Sequence, residues 1–92
     1  MTAVQDPRYD AARAAYFLAD DVDIDRAREL LLSLIRDYPD EPAPHAALCQ
    51  VYCRMAWTRG DREGADPEYM VRARQALRDA ESRTGLFART GL

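Results

Sequence analysis

Three residues that could bind a metal or carry out redox chemistry recur at intervals of four in the middle of the chain. His45, Cys49 and Cys53 are the only histidine and the only two cysteines of the sequence. On a helix, residues four apart lie on one face, so these three side chains would point the same way. The spacing leaves three alternatives for this segment: a metal site, a redox pair, or packing against a neighbouring helix.

Helix geometry argues against the first two alternatives. A helix rises about 12 Å from His45 to Cys53, so one ion cannot contact all three side chains. A closed zinc site needs four ligands, and a pair such as His45 and Cys49 would need ligands from elsewhere. The Cβ atoms of Cys49 and Cys53 would be about 5–6 Å apart, too far for an unstrained disulfide. We therefore expect packing, with Cys53 beside a groove between helices and His45 half-exposed.

Length and charge exclude several classes of protein. A chain of 92 residues forms one small domain with a modest core, and its net charge of −3 is spread over interleaved acids and arginines. No basic stripe indicates a nucleic-acid partner, and no apolar run is long enough to span a membrane. The chain has neither a glycine-rich phosphate loop nor a carboxylate partner for its histidine. We therefore expect a cytoplasmic protein that uses no cofactor and is not an enzyme.

Helix caps and helix breakers divide the chain into four helices with no strand signal. Three aspartates are placed to cap helix starts, and proline or glycine follows the ends of the second, third and fourth predicted helices. The predicted helices span about 7–20, 23–38, 43–59 and 66–84, and a tail covers 85–92. The second helix has the broadest apolar surface and is expected to be central. The fourth has one apolar stripe: Tyr69, Met70, Ala73, Leu77 and Ala80.

The four helices form two units whose positions correspond. The first is AARAAYFLADDVDIDRARELLLSLIRDYP, and the second is HAALCQVYCRMAW followed, after an insertion, by MVRARQALRDAES. Small residues correspond at Ala15 and Cys49, and large residues at Leu18 and Tyr52. This pattern resembles the tetratricopeptide repeat over about residues 8–84. The resemblance implies an all-α fold of two tandem antiparallel helical hairpins in a right-handed stack.

The same resemblance implies a non-enzymatic protein–protein interaction module, such as an adaptor, a scaffold or a chaperone-like protein. A partner segment would bind in a concave groove lined by the first helix of each hairpin. The groove positions carried over to this sequence are Tyr9, Ala12, Arg13, Tyr16, Asp20, Ala46, Gln50, Cys53 and Arg54. Tyr9 and Tyr16 would contact apolar groups of the partner, while Arg13 and Arg54 would pair with its acidic residues.

Two alternatives remain open from the sequence. The first is a self-associating structural or regulatory homodimer, because Trp57 and the tail residues Leu86 and Phe87 could form an apolar interface. The second is a helical bundle that binds a small ligand or a metal through His45 and Cys49. The sequence identifies neither the partner nor the oligomeric state.

Overall fold

Four helical segments make up most of the computed structural model, which describes residues 1–18 and 23–84. Helix α1 spans Pro7–Arg13 and continues as a π-helix over Ala14–Leu18; α2, α3 and α4 span Ile24–Asp37, Pro42–Thr58 and Pro67–Thr84. The described residues form no β-strand, and none of their helices is long and apolar enough to cross a membrane. The predicted all-α arrangement of four packed helices is confirmed. Asp20, Leu86 and Phe87 lie outside the described residues.

Aspartate caps begin three of the helices, as the sequence predicts. The Asp6 carboxylate accepts from the backbone N–H of Arg8, Asp23 from Arg26, and Asp66 from Glu68. These bonds satisfy amide groups that a helix start leaves without a partner. Helix α3 is the exception, because Glu41 makes no side-chain cap bond to it.

Glu41 instead holds the N-terminal segment. Both oxygens of its carboxylate lie 3.0 Å from the backbone nitrogen of Ala3, which donates to them. The Ala3 side chain is fully buried and belongs to the core cluster. The residues that precede α1 are therefore attached to the start of α3.

Contacts between helix ends show in which direction each helix runs relative to its neighbour. Each contact joins the start of one helix region to the end of another: Arg8 to Asp37 at 2.8 Å, Asp25 to Arg59 at 3.2 Å, and Arg83 to the Pro39 carbonyl. Successive helices are therefore antiparallel, so that α1 runs parallel to α3 and α2 runs parallel to α4. The chain forms two antiparallel hairpins in tandem.

Helix α2 is contacted on two sides, as the sequence predicts, but α3 and not α2 buries the most residues. Helix α2 does contact both α1 and α3, but only Ala27, Leu31 and Leu34 of its residues are buried. Helix α3 buries seven residues over about half of its circumference, including Val51 and Met55, because α2 and α4 pack on different sides of it.

Helix α4 packs on α3 through a strip of alanines. Ala73, Ala76 and Ala80 are buried, whereas Leu77 is 45% exposed, so the prediction that Leu77 belongs to the buried stripe is wrong. The three alanines are spaced by three and four residues and therefore share one face; Leu77, four residues after Ala73 and three before Ala80, lies at the edge of that face and stays half-exposed. Small side chains let the α4 backbone approach α3 closely.

A partly buried charged cluster fixes the start of α1 against the end of α2. The Arg8 guanidinium donates to both oxygens of Asp6, at 3.0 and 2.9 Å, and forms an ion pair with Asp37 at 2.8 Å. The Tyr38 hydroxyl also donates to Asp6, at 3.3 Å. The hydrogen bonds from Arg8 are the main reason that the pKa of Asp6 falls from 3.8 to about 2.

Replacing Leu34 with alanine should strongly destabilise the fold. Leu34 is 0% exposed, so the Leu34→Ala variant should lose about 2–5 kcal/mol through lost burial and a residual cavity. The matched control is Leu32→Ala, two residues away on the same helix, where the side chain is 39% exposed. We expect the control to lose less than about 1 kcal/mol in urea titration. Equal losses in the two variants would contradict the observed packing of α2.

The Asp6 cluster should make stability depend on acid pH. Because folding lowers the pKa of Asp6, the carboxylate contributes stability above pH 3.8, and this contribution is lost as the pH falls through about 2. Asp6→Asn keeps a helix cap but removes the charge. The wild type should therefore be more stable than this variant near neutral pH, with a difference that shrinks below about pH 5.

Urea midpoints measured across this pH range check the prediction. Asp10→Asn, which removes an exposed carboxylate from the same helix, is the control. A difference between the wild type and Asp6→Asn that stays constant with pH would show that the ion pair with Arg8 contributes no stability.

Candidate interaction groove

The parallel helices α1 and α3 border an open cavity of about 480 Å³. Tyr9 and Arg13 of α1 and Phe17 of the π-helix form one wall, and α3 contributes the other wall through Ala43, Ala46, Ala47 and Gln50. Because α1 and α3 are the first helices of the two hairpins, this cavity lies where the resemblance implies a groove. Four of the nine predicted groove residues line it: Tyr9, Arg13, Ala46 and Gln50.

Tyr16 connects the two walls of the groove. Its hydroxyl donates to the Gln50 carbonyl oxygen at 3.2 Å. Burial raises the pKa of Tyr16, the nearby Arg54 guanidinium lowers it, and Cys53 raises it. The structure therefore brings Tyr16, Cys53 and Arg54 together beside the cavity.

One predicted groove residue faces away from the groove. Ala12 is buried in the core, because it faces the other helices rather than the open side of α1, so its assignment to the groove is wrong. Asp20 lies outside the described residues. Sequence reasoning also missed Phe17, which is 43% exposed and lines the cavity. Tyr9, Arg13 and Phe17 follow one another at intervals of four residues, and this helical spacing could have indicated that Phe17 shares their face.

Trp57 extends the exposed face of α3 beyond the cavity. Ala46, Gln50, Arg54 and Trp57 follow one another at helical spacing along the open side of α3, so they form one stripe. Trp57 is 67% exposed and lies about 10 Å beyond Gln50 along the helix axis. We call this stripe, together with the cavity and its α1 wall, the groove face.

The groove face carries two arginines in a chain of net negative charge. Arg13 and Arg54 are both exposed. Among residues 1–18 and 23–84, no carboxylate lies within ion-pair distance of either guanidinium group. Both arginines are therefore available to a negatively charged group of a ligand.

His45, Cys49 and Cys53 have different neighbours although they share one helix. His45 is only 5% exposed, and its Nε2 lies 3.3 Å from the Pro39 carbonyl oxygen in the turn before α3; the prediction that His45 is half-exposed is wrong. Cys49 and Cys53 are half-buried free thiols. The described ranges contain no group of three or more His, Cys, Asp or Glu side chains placed to hold a metal ion.

Burial also determines the chemistry of Cys49. The pKa of its thiol is raised first by burial, then by Cys53, and further by Glu81 on α4. A raised pKa leaves less thiolate, the nucleophilic form, at neutral pH. The environment of Cys49 therefore suits packing rather than reactivity.

Comparison of the chain with protein-family models, with curated proteins and with solved structures finds no match. The groove face itself offers three kinds of recognition group: aromatic surface, small residues that leave open space, and two arginines with no described acidic partner. These groups can recognise a ligand by apolar contact and by charge.

Alkylation kinetics should show the raised pKa of Cys49. In a Cys53→Ser variant, the rate of Cys49 alkylation should rise with pH along a curve whose midpoint lies above the ordinary thiol value, because burial and Glu81 still disfavour the thiolate. The same variant in denaturant provides the reference curve. Identical midpoints in the folded and unfolded states would contradict the burial of this thiol, since restricted access alone slows the reaction without moving the midpoint.

Proposed function

We propose that the protein is a cytoplasmic, non-enzymatic interaction module that binds a segment of another protein along the groove face. The observation that carries the proposal is the open cavity between the parallel helices α1 and α3, bordered by exposed aromatic residues and arginines. The tandem hairpins are compatible with the resemblance to tetratricopeptide repeats, from which the expectation of a partner groove comes.

Apolar contact supplies the first part of the recognition. Tyr9 and Phe17 line the cavity, and Trp57 lies further along the same face. Aromatic side chains and arginines are the residues that most often dominate the free energy of protein interfaces. A bulky apolar side chain of the partner would enter the cavity, and a second would cover part of Trp57.

Charge supplies the second part of the recognition. Arg13 on α1 and Arg54 on α3 stand on the two walls of the groove face. A partner segment with Asp or Glu beside its apolar residues would pair with one or both guanidinium groups. Long-range attraction between the arginines and the acidic residues of the partner would also speed association at low salt.

Selection from a library of displayed random peptides would test this function. We expect the wild type to enrich peptides that combine aromatic or large aliphatic residues with Asp or Glu. For a selected peptide, Ala46→Arg should weaken binding by about tenfold or more, because the longer side chain fills the cavity at the centre of the contact. Fluorescence anisotropy with a labelled peptide measures the dissociation constants.

Matched variants distinguish the groove face from the rest of the surface. Ala14→Arg adds the same side chain at an exposed alanine that does not line the cavity, and should bind like the wild type. Arg13→Glu and Arg54→Glu should each weaken binding of acidic peptides, with a loss that shrinks at high salt. Selected peptides whose affinity is the same for wild type and Ala46→Arg would refute the proposal.

A further inference from the structure

A second candidate surface lies on the opposite side of α3. Here α2, α3 and α4 border a cavity of about 330 Å³ with an apolar lining that includes Leu32, Ile35, Leu48 and Ala76. On α3, Leu48 is about half a helical turn away from Gln50, so this surface does not overlap the groove face. Leu32 remains 39% exposed at its edge. We call this region the α2–α4 surface.

Charged and polar residues of α4 follow the edge of the α2–α4 surface in a symmetric pattern. One stripe of this helix contains, in order, Glu68, Arg72, Gln75, Asp79 and Arg83. The spacings of four, three, four and four place these residues on a single face. Arg72, Gln75 and Asp79 also line the cavity itself.

The charges of this stripe are complementary to those of the same stripe on a second, antiparallel α4. If two α4 helices lie antiparallel around a two-fold axis between Gln75 and Ala76, Arg72 of each copy lies opposite Asp79 of the other. The same axis places Glu68 opposite Arg83. In a two-fold interface every such pair occurs twice, so one arrangement joins four pairs of opposite charges. Charge complementarity thus identifies a second copy of this chain as the partner that fits.

Contacts within α4 leave this pattern available. Glu68 accepts from Arg72 at 3.0 Å, and Asp79 accepts from Gln75 at 3.0 Å and lies 3.8 Å from Arg83. A carboxylate has room for about four hydrogen bonds, so each acid can pair with a second copy without losing its present partner. The contacts within the helix also hold these side chains along the stripe.

We propose that two copies of the chain associate through the α2–α4 surface, with their α4 helices antiparallel. The second copy would cover Leu32 and the apolar lining of the cavity, which supplies the hydrophobic contribution, while the charge pairs fix the register. This interface differs from the one suggested by Trp57 and the tail. It leaves the groove face of each copy accessible, so it is independent of the proposed function.

A charge exchange provides the test. Arg72→Glu places two acids opposite each other at both symmetric positions, and Asp79→Arg places two arginines there. Each variant alone should dissociate about tenfold more readily than the wild type in sedimentation measurements. An equal mixture of the two variants should associate again, because the mixed dimer restores an acid opposite an arginine at both positions. The double variant Arg72→Glu with Asp79→Arg should likewise form a dimer.

Two control variants change the charge of the protein away from the proposed interface. Arg74→Glu makes the same change of charge on another face of α4 and should associate like the wild type. Ala46→Arg, on the groove face, should do the same, so failure of peptide binding and failure of self-association are distinguishable. Monomeric wild type at submillimolar concentration would overturn the proposal. So would a wild-type dimer that both single variants retain, or variants that stay monomeric when mixed.

Discussion

Close packing around α3 is the constraint on which the other features depend. Helix α4 approaches α3 through Ala73, Ala76 and Ala80, and the buried Val51 and Met55 of α3 lie at the centre of the core. The connection between these helices is equally tight, because a Cβ atom on Gly60 would lie 2.2 Å from the Gly64 carbonyl oxygen. Gly64 itself has a φ of 135°, which L-residues with side chains rarely adopt. With α2 and α4 occupying two sides of α3, the groove face and the α2–α4 surface are the places where α3 stays accessible to a partner.

Local signals account for most of what the sequence predicts correctly. Caps such as Asp6 and Asp23 act within one helical turn, so the starts of α1 and α2 can be read without knowledge of the fold. The parallel placement of α1 and α3 follows from the order of the helices and the short connection between α2 and α3. Tyr9 and Arg13 therefore border the cavity between these two helices.

Features that depend on distant neighbours were missed. His45 is buried beside the turn that carries Pro39, which no local pattern around His45 indicates. On α4, the sequence does not show that the alanines contact α3 while Leu77 stays half-exposed. None of the residues in Ala14–Leu18 indicates a π-helix, yet the π-helix sets the positions of Tyr16 and Phe17. The centroids of these two rings lie 4.4 Å apart in an edge-to-face arrangement. The sequence therefore does not predict that Phe17 lines the groove.

The attachment of Ala3 to Glu41 has a consequence for the thermodynamics of the binding proposed for the groove face. These two bonds join the segment before α1 to the start of α3, and the Tyr16 hydroxyl joins the other end of the α1 segment to Gln50. The two walls of the groove are thus clamped at both ends before any ligand arrives. A clamped cleft loses little conformational entropy on association, so the ordering cost of complex formation falls mainly on the ligand. Complex stability would then be controlled by the stiffness of the bound segment as much as by its contacts.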